Sequence, residues 1–156
     1  MPTAHRNNHP PKRHGRHSSQ GWTLAELLIT MALMGLLAAL ALPTYQQQQR
    51  QVRRGDGQAA LLQLQVDQAR WRSTHDGYAD TLAALGWPSD RSPQGHYQVI
   101  LTEANAEGYA AQAIGLNSQA ADWNCTPLRL NWQGSATAIL GAGEHPDSDP
   151  NRCWRR

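Results

Sequence analysis

Residues 21–45 read GWTLAELLITMALMGLLAALALPTY. The run from Trp22 to Leu42 is apolar over close to the minimum length that crosses a bilayer as a helix, and after Glu26 no charge occurs before Arg50. It predicts a membrane-competent helix, with Pro43 placed to kink it rather than end it. Glu26 is the anomaly. A carboxylate near the centre of such a helix costs about 2.5–3.5 kcal/mol, so Glu26 calls for a partner. One is local: Thr23 as N-cap and Glu26 three residues on have capping-box spacing, in which each side chain meets a free backbone N–H of the other residue. A cap alone does not explain why an acid precedes an unbroken apolar run.

Charge is unevenly spread. Residues 1–21 hold Arg6, Lys12, Arg13 and Arg16, no acid and almost no apolar residue, and such a segment does not fold alone. A cationic stretch ahead of an apolar helix stays on the cytoplasmic side, so the chain beyond the helix is expected to be exported. Ten of the 14 Lys and Arg, against all 12 Asp and Glu, lie beyond residue 21. A chain cut there is near neutral, which excludes a generally basic nucleic-acid-binding domain. The 156 residues leave room for one further domain with a modest core. Cys125 and Cys153 fall in the exported part, where a disulfide can persist.

Two cuts compete. Ala39-Leu40-Ala41 has the small-x-small pattern of a conventional signal-peptide site, which would release a periplasmic protein. The other cut precedes the apolar run. The cationic leader ending in Gly21, then Trp22, Thr23, Leu24 and Glu26, with Gly35, Pro43 and Tyr45 beyond, resembles the N-terminal segment of the type IV pilin family and of its relatives, the type II secretion pseudopilins. Trp22 stands where the family usually has Phe, and the leader is long for the subclass. In weaker form RSTHDGYADTLAALGW, residues 72–87, resembles the loop after the helix in PilE-like minor pilins. CTPLRLNWQGSATAIL and NRCW resemble their final hairpin and C-terminal disulfide loop.

That resemblance implies an α+β fold: a long N-terminal helix packed on a four-stranded antiparallel sheet, with a C-terminal disulfide loop. It implies a leader of residues 1–21 cut between Gly21 and Trp22 by a prepilin peptidase, and methylation of the new amine. Residues 22–43 become the transmembrane and assembly half of the helix, 44–76 its amphipathic half, and 77–156 the loop, sheet and disulfide loop, with Cys125 paired to Cys153. Glu26 then neutralises the N-terminal amine of a neighbouring subunit, since opposite charges buried together are tolerated where either alone is penalised. The implied protein is a structural subunit, of the minor class, of a type IV pilus. It is anchored in the inner membrane with a periplasmic C-terminal domain, then drawn into an extracellular filament that serves adhesion, twitching motility or DNA uptake. Its implied partners are other pilin subunits and the peptidase. The alternatives are a DNA-binding receptor pilin for natural transformation and a secretion pseudopilin.

The residues beyond the apolar run agree with that outline. From Tyr45 to His75 the composition is Gln- and Arg-rich, with QQQQRQ at 46–51 as a polar helix face. Leu62, Val66 and Ala69 at helical spacing, with Leu61 beside them, predict one amphipathic face. Gly55-Asp56-Gly57 predicts a weak point or bend, each Gly costing about 1 kcal/mol relative to Ala, and Asp76-Gly77 predicts the helix end. HYQVILTE (96–103) with GYAAQAIGL (108–116), and PLRLNW (127–132) with SATAIL (135–140), predict two hairpins.

Chemistry-bearing motifs are sparse. GEHPDSDP (143–150) has acids but not the spacing of a calcium loop, and reads as a solvated turn. No phosphate-cradling glycine loop, nucleophile elbow or zinc spacing occurs, so neither an enzyme, a metal nor a cofactor is predicted. The ending NRCWRR places Arg152, Arg155 and Arg156 around Trp154. Arginines neutralise phosphates and an indole stacks on a base, so this tail is a candidate DNA contact; the competing reading packs Trp154 on the sheet.

Overall fold

The computed structural model describes residues 22–134, 137–145 and 148–154. Helix α1 spans Leu24–Arg72 and continues through Pro43. The chain divides into two compact units, Met1–Leu40 and Ala41–Arg156. In the first, the described residues are the start of α1, an apolar helix with no buried residue.

The second unit sets the rest of α1 against one antiparallel sheet. Strands β1 (Tyr97–Ala104), β2 (Gly108–Gly115), β3 (Leu128–Gln133) and β4 (Ile139–Ala142) lie in the order β1-β2-β3-β4. A short helix, α2 (Pro150–Cys153), follows. Tyr97 and Val99 on β1, Ala111 and Ala113 on β2, and Leu128 and Leu130 on β3 alternate inward, as period-two strands with one covered face require. With Ala60, Leu61 and Leu64 of α1 they form the core.

The face of α1 that packs is not the expected one. Leu61 is buried, but Leu62 and Val66 are 52% and 55% exposed and Ala69 is exposed as well. The buried row is Gly57, Ala60, Leu61, Leu64 and Gln68. Small residues decide it: a Cβ on Gly57 would sit 3.0 Å from the Tyr97 ring and 3.1 Å from Leu128 Cδ1. Gly57 is thus a point of close approach between helix and sheet and not a bend, since α1 runs through it.

The helix also ends before Asp76-Gly77. Ser73 and Thr74 donate their hydroxyls to the carbonyls of Arg70 and Trp71 at 2.7 and 3.2 Å, taking up last-turn acceptors. The His75 ring stacks on Trp71 with centroids 3.7 Å apart. The first hairpin falls where expected, with a bulge between Leu101 and Glu103. In the second, β4 begins later, at Ile139, and runs on to Ala142; Ser135 and Ala136 lie outside the described residues. Gly141 lets β4 continue, because a Cβ there would lie 3.3 Å from Arg129 Cβ on the paired strand.

Polar side chains of α1 hold the 73–96 loop. Gln68, with no exposed surface, donates to the carbonyl of Ala79 at 2.7 Å and accepts from its N–H at 2.9 Å. Asp56, nearly as buried, accepts from the Ser92 hydroxyl (2.5 Å), Gln94 N–H (2.9 Å) and His96 N–H (3.2 Å). Leu82, Leu85 and Trp87 of this loop then pack on the core.

Candidate functional sites

At the N-terminus Thr23 precedes the first helical residue and accepts from Glu26 N–H through Oγ1 at 3.2 Å, while its carbonyl receives Leu27 N–H. This satisfies one of the donors that a helix start leaves free. Within the apolar run the Thr30 hydroxyl is internalised by a 2.9 Å bond to the Leu27 carbonyl. Trp22, Glu26 and, apart from half-buried Thr30, the side chains up to Leu42 are exposed. Among the described residues Glu26 has no cationic partner; Gly21 lies outside them. One chain by itself thus presents an apolar helix surface with a capped, anionic first turn.

At the other end Cys125 and Cys153 form a disulfide, 28 positions apart. It sits on a platform supplied by α1. Gln58 donates to the Cys153 carbonyl at 2.7 Å. Arg54 makes a two-pronged contact with Asp122, Nε to Oδ2 at 2.7 Å and Nη2 to Oδ1 at 2.9 Å, and reaches the Arg152 carbonyl at 3.3 Å. Gln119, fully buried, joins the Arg50 carbonyl, the Tyr97 hydroxyl and Asp122. Desolvation by burial pushes the Tyr97 phenol up, while the Gln119 hydrogen bond opposes the shift. Asp149 caps α2 by accepting from Asn151 N–H at 2.9 Å, with Pro150 at the first helical position.

Of the tail residues that are described, Trp154 does not lie on the surface beside Arg152. Trp154 is only 7% exposed and its indole N–H donates to the Gly141 carbonyl at 2.8 Å, so its face belongs to the core and is not available to stack on a base. Arg152 remains outward, its side chain 86% exposed beside Asp149 at 3.8 Å. Arg155 and Arg156 lie outside the described residues.

Sequence reasoning missed the polar contacts of α1. Arg54, Asp56, Gln58 and Gln68 look like a solvated face, yet each binds a segment distant in sequence. One signal was available. An acid between two glycines inside a helix has little reason to be there for helix stability, and both Asp56 and Gly57 prove to be buried.

A helix that starts apolar and exposed, then packs on a four-stranded antiparallel sheet closed by a C-terminal disulfide, defines a type IV pilin. A family model described as "Type IV minor pilin ComP, DNA uptake sequence receptor" matches residues 43–129. The chain belongs to this family. A second model, "Prokaryotic N-terminal methylation motif", matches residues 16–42. The chain is also similar to the type IV major pilin protein PilA of Myxococcus xanthus (strain DK1622), with 29% identity over 89 residues, 57% of this chain and 40% of that protein. It thus spans about two fifths of that relative's length.

Proposed function

We propose that this chain is a structural subunit of a type IV pilus, of the minor class, held in a membrane by the start of α1 before it is drawn into the filament. The observation that carries this reading is the apolar window of α1, long enough to cross a bilayer and with none of its residues buried, within the matched methylation motif. Such a surface needs lipid first and like helices afterwards. The stripe of Tyr45, Val52, Leu62 and Val66, each more than half exposed, offers further apolar surface to neighbouring subunits. The motif match favours a cut between Gly21 and Trp22 by a prepilin peptidase, followed by methylation of the amine, over a conventional cut after Ala41. The cationic leader favours the inner membrane with the C-terminal domain on the periplasmic side, then the extracellular pilus. The family match and the disulfide favour a pilus over a secretion piston. The role is structural and not catalytic.

In this reading Glu26 pairs with the amine of Trp22 on the next subunit, and Thr23 sets the helix start that places it. Glu26→Gln or Glu26→Val should leave membrane insertion and the fold of the C-terminal domain intact while lowering incorporation into filaments, measured on sheared pili. Incorporation equal to the unmodified chain would return Glu26 to a capping role. Intact mass of the processed protein should place the first residue at Trp22; a chain beginning at Leu42 would overturn the pilin reading.

The family description also favours a second reading, a DNA receptor. Outward-facing Arg152, with Arg155 and Arg156 after it in sequence, supports phosphate contact. DNA binding by the full chain should weaken with salt, and replacing Arg152, Arg155 and Arg156 by Ala should flatten the log–log slope by nearly one per arginine lost. No salt-dependent binding at low ionic strength would remove this reading and leave the pilus subunit.

A further inference from the structure

In the second unit α1 leaves the apolar run at Leu42, and Tyr45 follows, exposed, its hydroxyl accepting from Gln49 Nε2 at 2.8 Å. Arg50 and Arg53 come eight and eleven residues after Leu42, roughly 12 and 17 Å along a helix axis. Both reach over to one loop. Arg50 Nη1 donates to the Ala121 carbonyl at 3.4 Å, Arg53 Nη1 donates to Ser118 Oγ at 2.7 Å, and Gln119 Nε2 donates back to the Arg50 carbonyl at 3.1 Å. Asn124, further along that loop, lines a recess of about 470 Å³ with Gln47 and Gln51. The 117–124 segment is thus gathered against the turns of α1 that follow the apolar run. Charge at this end does not cancel. Asp122 is held by Arg54, Asp149 lies 3.8 Å from Arg152 and Glu144 3.4 Å from Arg129, while Asp56 is buried beneath Ser92, Gln94 and His96. Arg50 and Arg53 have only neutral partners among the described residues. Trp123 is the other outlier. Trp87, Trp132 and Trp154 each donate the indole N–H to an acceptor of the domain. Trp123 is 55% exposed, lies edge-on to His145 with centroids 4.6 Å apart, and makes no bond from its indole N–H among the described residues.

We propose that this end of the domain rests on anionic phospholipid headgroups while the subunit is held in the membrane, with Arg50 and Arg53 paired to lipid phosphates and Trp123 and Tyr45 at the bilayer interface. The inference rests on the reading of the start of α1 as a membrane span. A headgroup layer is about 5–8 Å deep on each side of the hydrocarbon. Helical side chains lean toward the N-terminus, long cationic ones snorkel to the headgroups, and a tilted helix lowers both positions. The two guanidiniums therefore come down to the phosphates. Each uses one nitrogen inside the domain, and a guanidinium has five N–H donors in a fork that fits phosphate. Trp and Tyr concentrate at this level of a bilayer because the ring is apolar while its N–H or O–H needs water or a headgroup. An indole N–H without an acceptor in the protein suits that place. Nucleic acid offers the same phosphates, but a surface this close to the end of the apolar run meets lipid first. The contacts hold the domain at a fixed height and orientation until extraction into the filament breaks them.

The test uses the full chain in vesicles of phosphatidylcholine mixed with phosphatidylglycerol, with bromine atoms high on the acyl chains of one lipid or the other to quench nearby indoles. Trp123→Phe isolates the Trp123 signal by difference. That signal should be quenched about fivefold more strongly when the bromines are on phosphatidylglycerol at equal mole fraction, the enrichment that one arginine near an anionic surface gives. Salt at about 1 M should abolish the preference. Arg50→Gln with Arg53→Gln keeps a donor at each position and removes the charge, so it should bring the ratio close to one with no fall in melting temperature. The proposal is overturned if neither lipid quenches Trp123 or if the double variant keeps the preference. It is overturned equally if that variant loses only binding to an added DNA duplex, which would make the surface a nucleic-acid contact. Flotation with the vesicles separates this proposal from the reading beneath it: a chain that floats without Trp123 quenching fails the headgroup contact alone, and a chain that does not float fails both.

Discussion

Two glycines two positions apart behave oppositely because of what each faces. Gly55 has nothing within 4 Å of a Cβ position, whereas Gly57 abuts Tyr97 and Leu128. Gly55→Ala should therefore stabilise the domain by up to about 1 kcal/mol, the ordinary helix preference for Ala. Gly57→Ala should destabilise it by about 1–3 kcal/mol, because overpacking outweighs the same preference. Chemical denaturation of the two variants side by side checks the pair, and equal shifts would contradict the packing described. Gln68→Ala strands the buried Ala79 N–H and carbonyl and should cost about 2–4 kcal/mol, seen as faster proteolysis of the 73–96 loop. Such contacts are invisible in sequence because a glutamine states only that it can bond, not to what.

Helix α1 carries two faces along one stretch, and only one was legible. Large apolar residues at 62 and 66 drew the reading to the wrong side, while the packed row mixes Gly, Ala and Gln with two leucines. Hydrophobic periodicity finds the most apolar stripe, but a helix lies closest to a sheet where its side chains are smallest. The exposed stripe remains meaningful as an interaction surface. Leu62→Glu with Val66→Lys should leave the melting temperature within about 0.5 kcal/mol equivalent, as exposed sites usually do, yet reduce incorporation into filaments. A loss of folding instead would mean that this face is covered within the monomer. The β-hairpins were more readable, since inward and outward residues alternate through the first half of β1 and most of β2; β4 was misplaced because Gly141 and Gly143 look like strand breakers, although Gly141 lies inside the strand.

The disulfide, the Arg54–Asp122 pair and Gln58 converge on the C-terminal segment, so that its position is set by α1 as much as by the sheet. Reducing the Cys125–Cys153 bond should cost about 2–5 kcal/mol and lower the melting temperature, checked by calorimetry with and without reductant. The apolar N-terminal run was evident from residue type and the Cys125–Cys153 pairing from the family resemblance, whereas the burial of Trp154 was not, because a tryptophan flanked by arginines fits a core anchor and an exposed contact equally. The polar grip of α1 also determines where the protein can be shortened. Among the described residues Arg50 is the first in chain order to be hydrogen-bonded beyond the helix, to Ala121 and Gln119. A soluble fragment beginning a few residues before Arg50 keeps every one of these bonds, whereas one beginning after Arg54 leaves Asp122 buried without its cation, an error worth about 3–5 kcal/mol. The last safe place to cut the helix is set by a single guanidinium rather than by the edge of the apolar run.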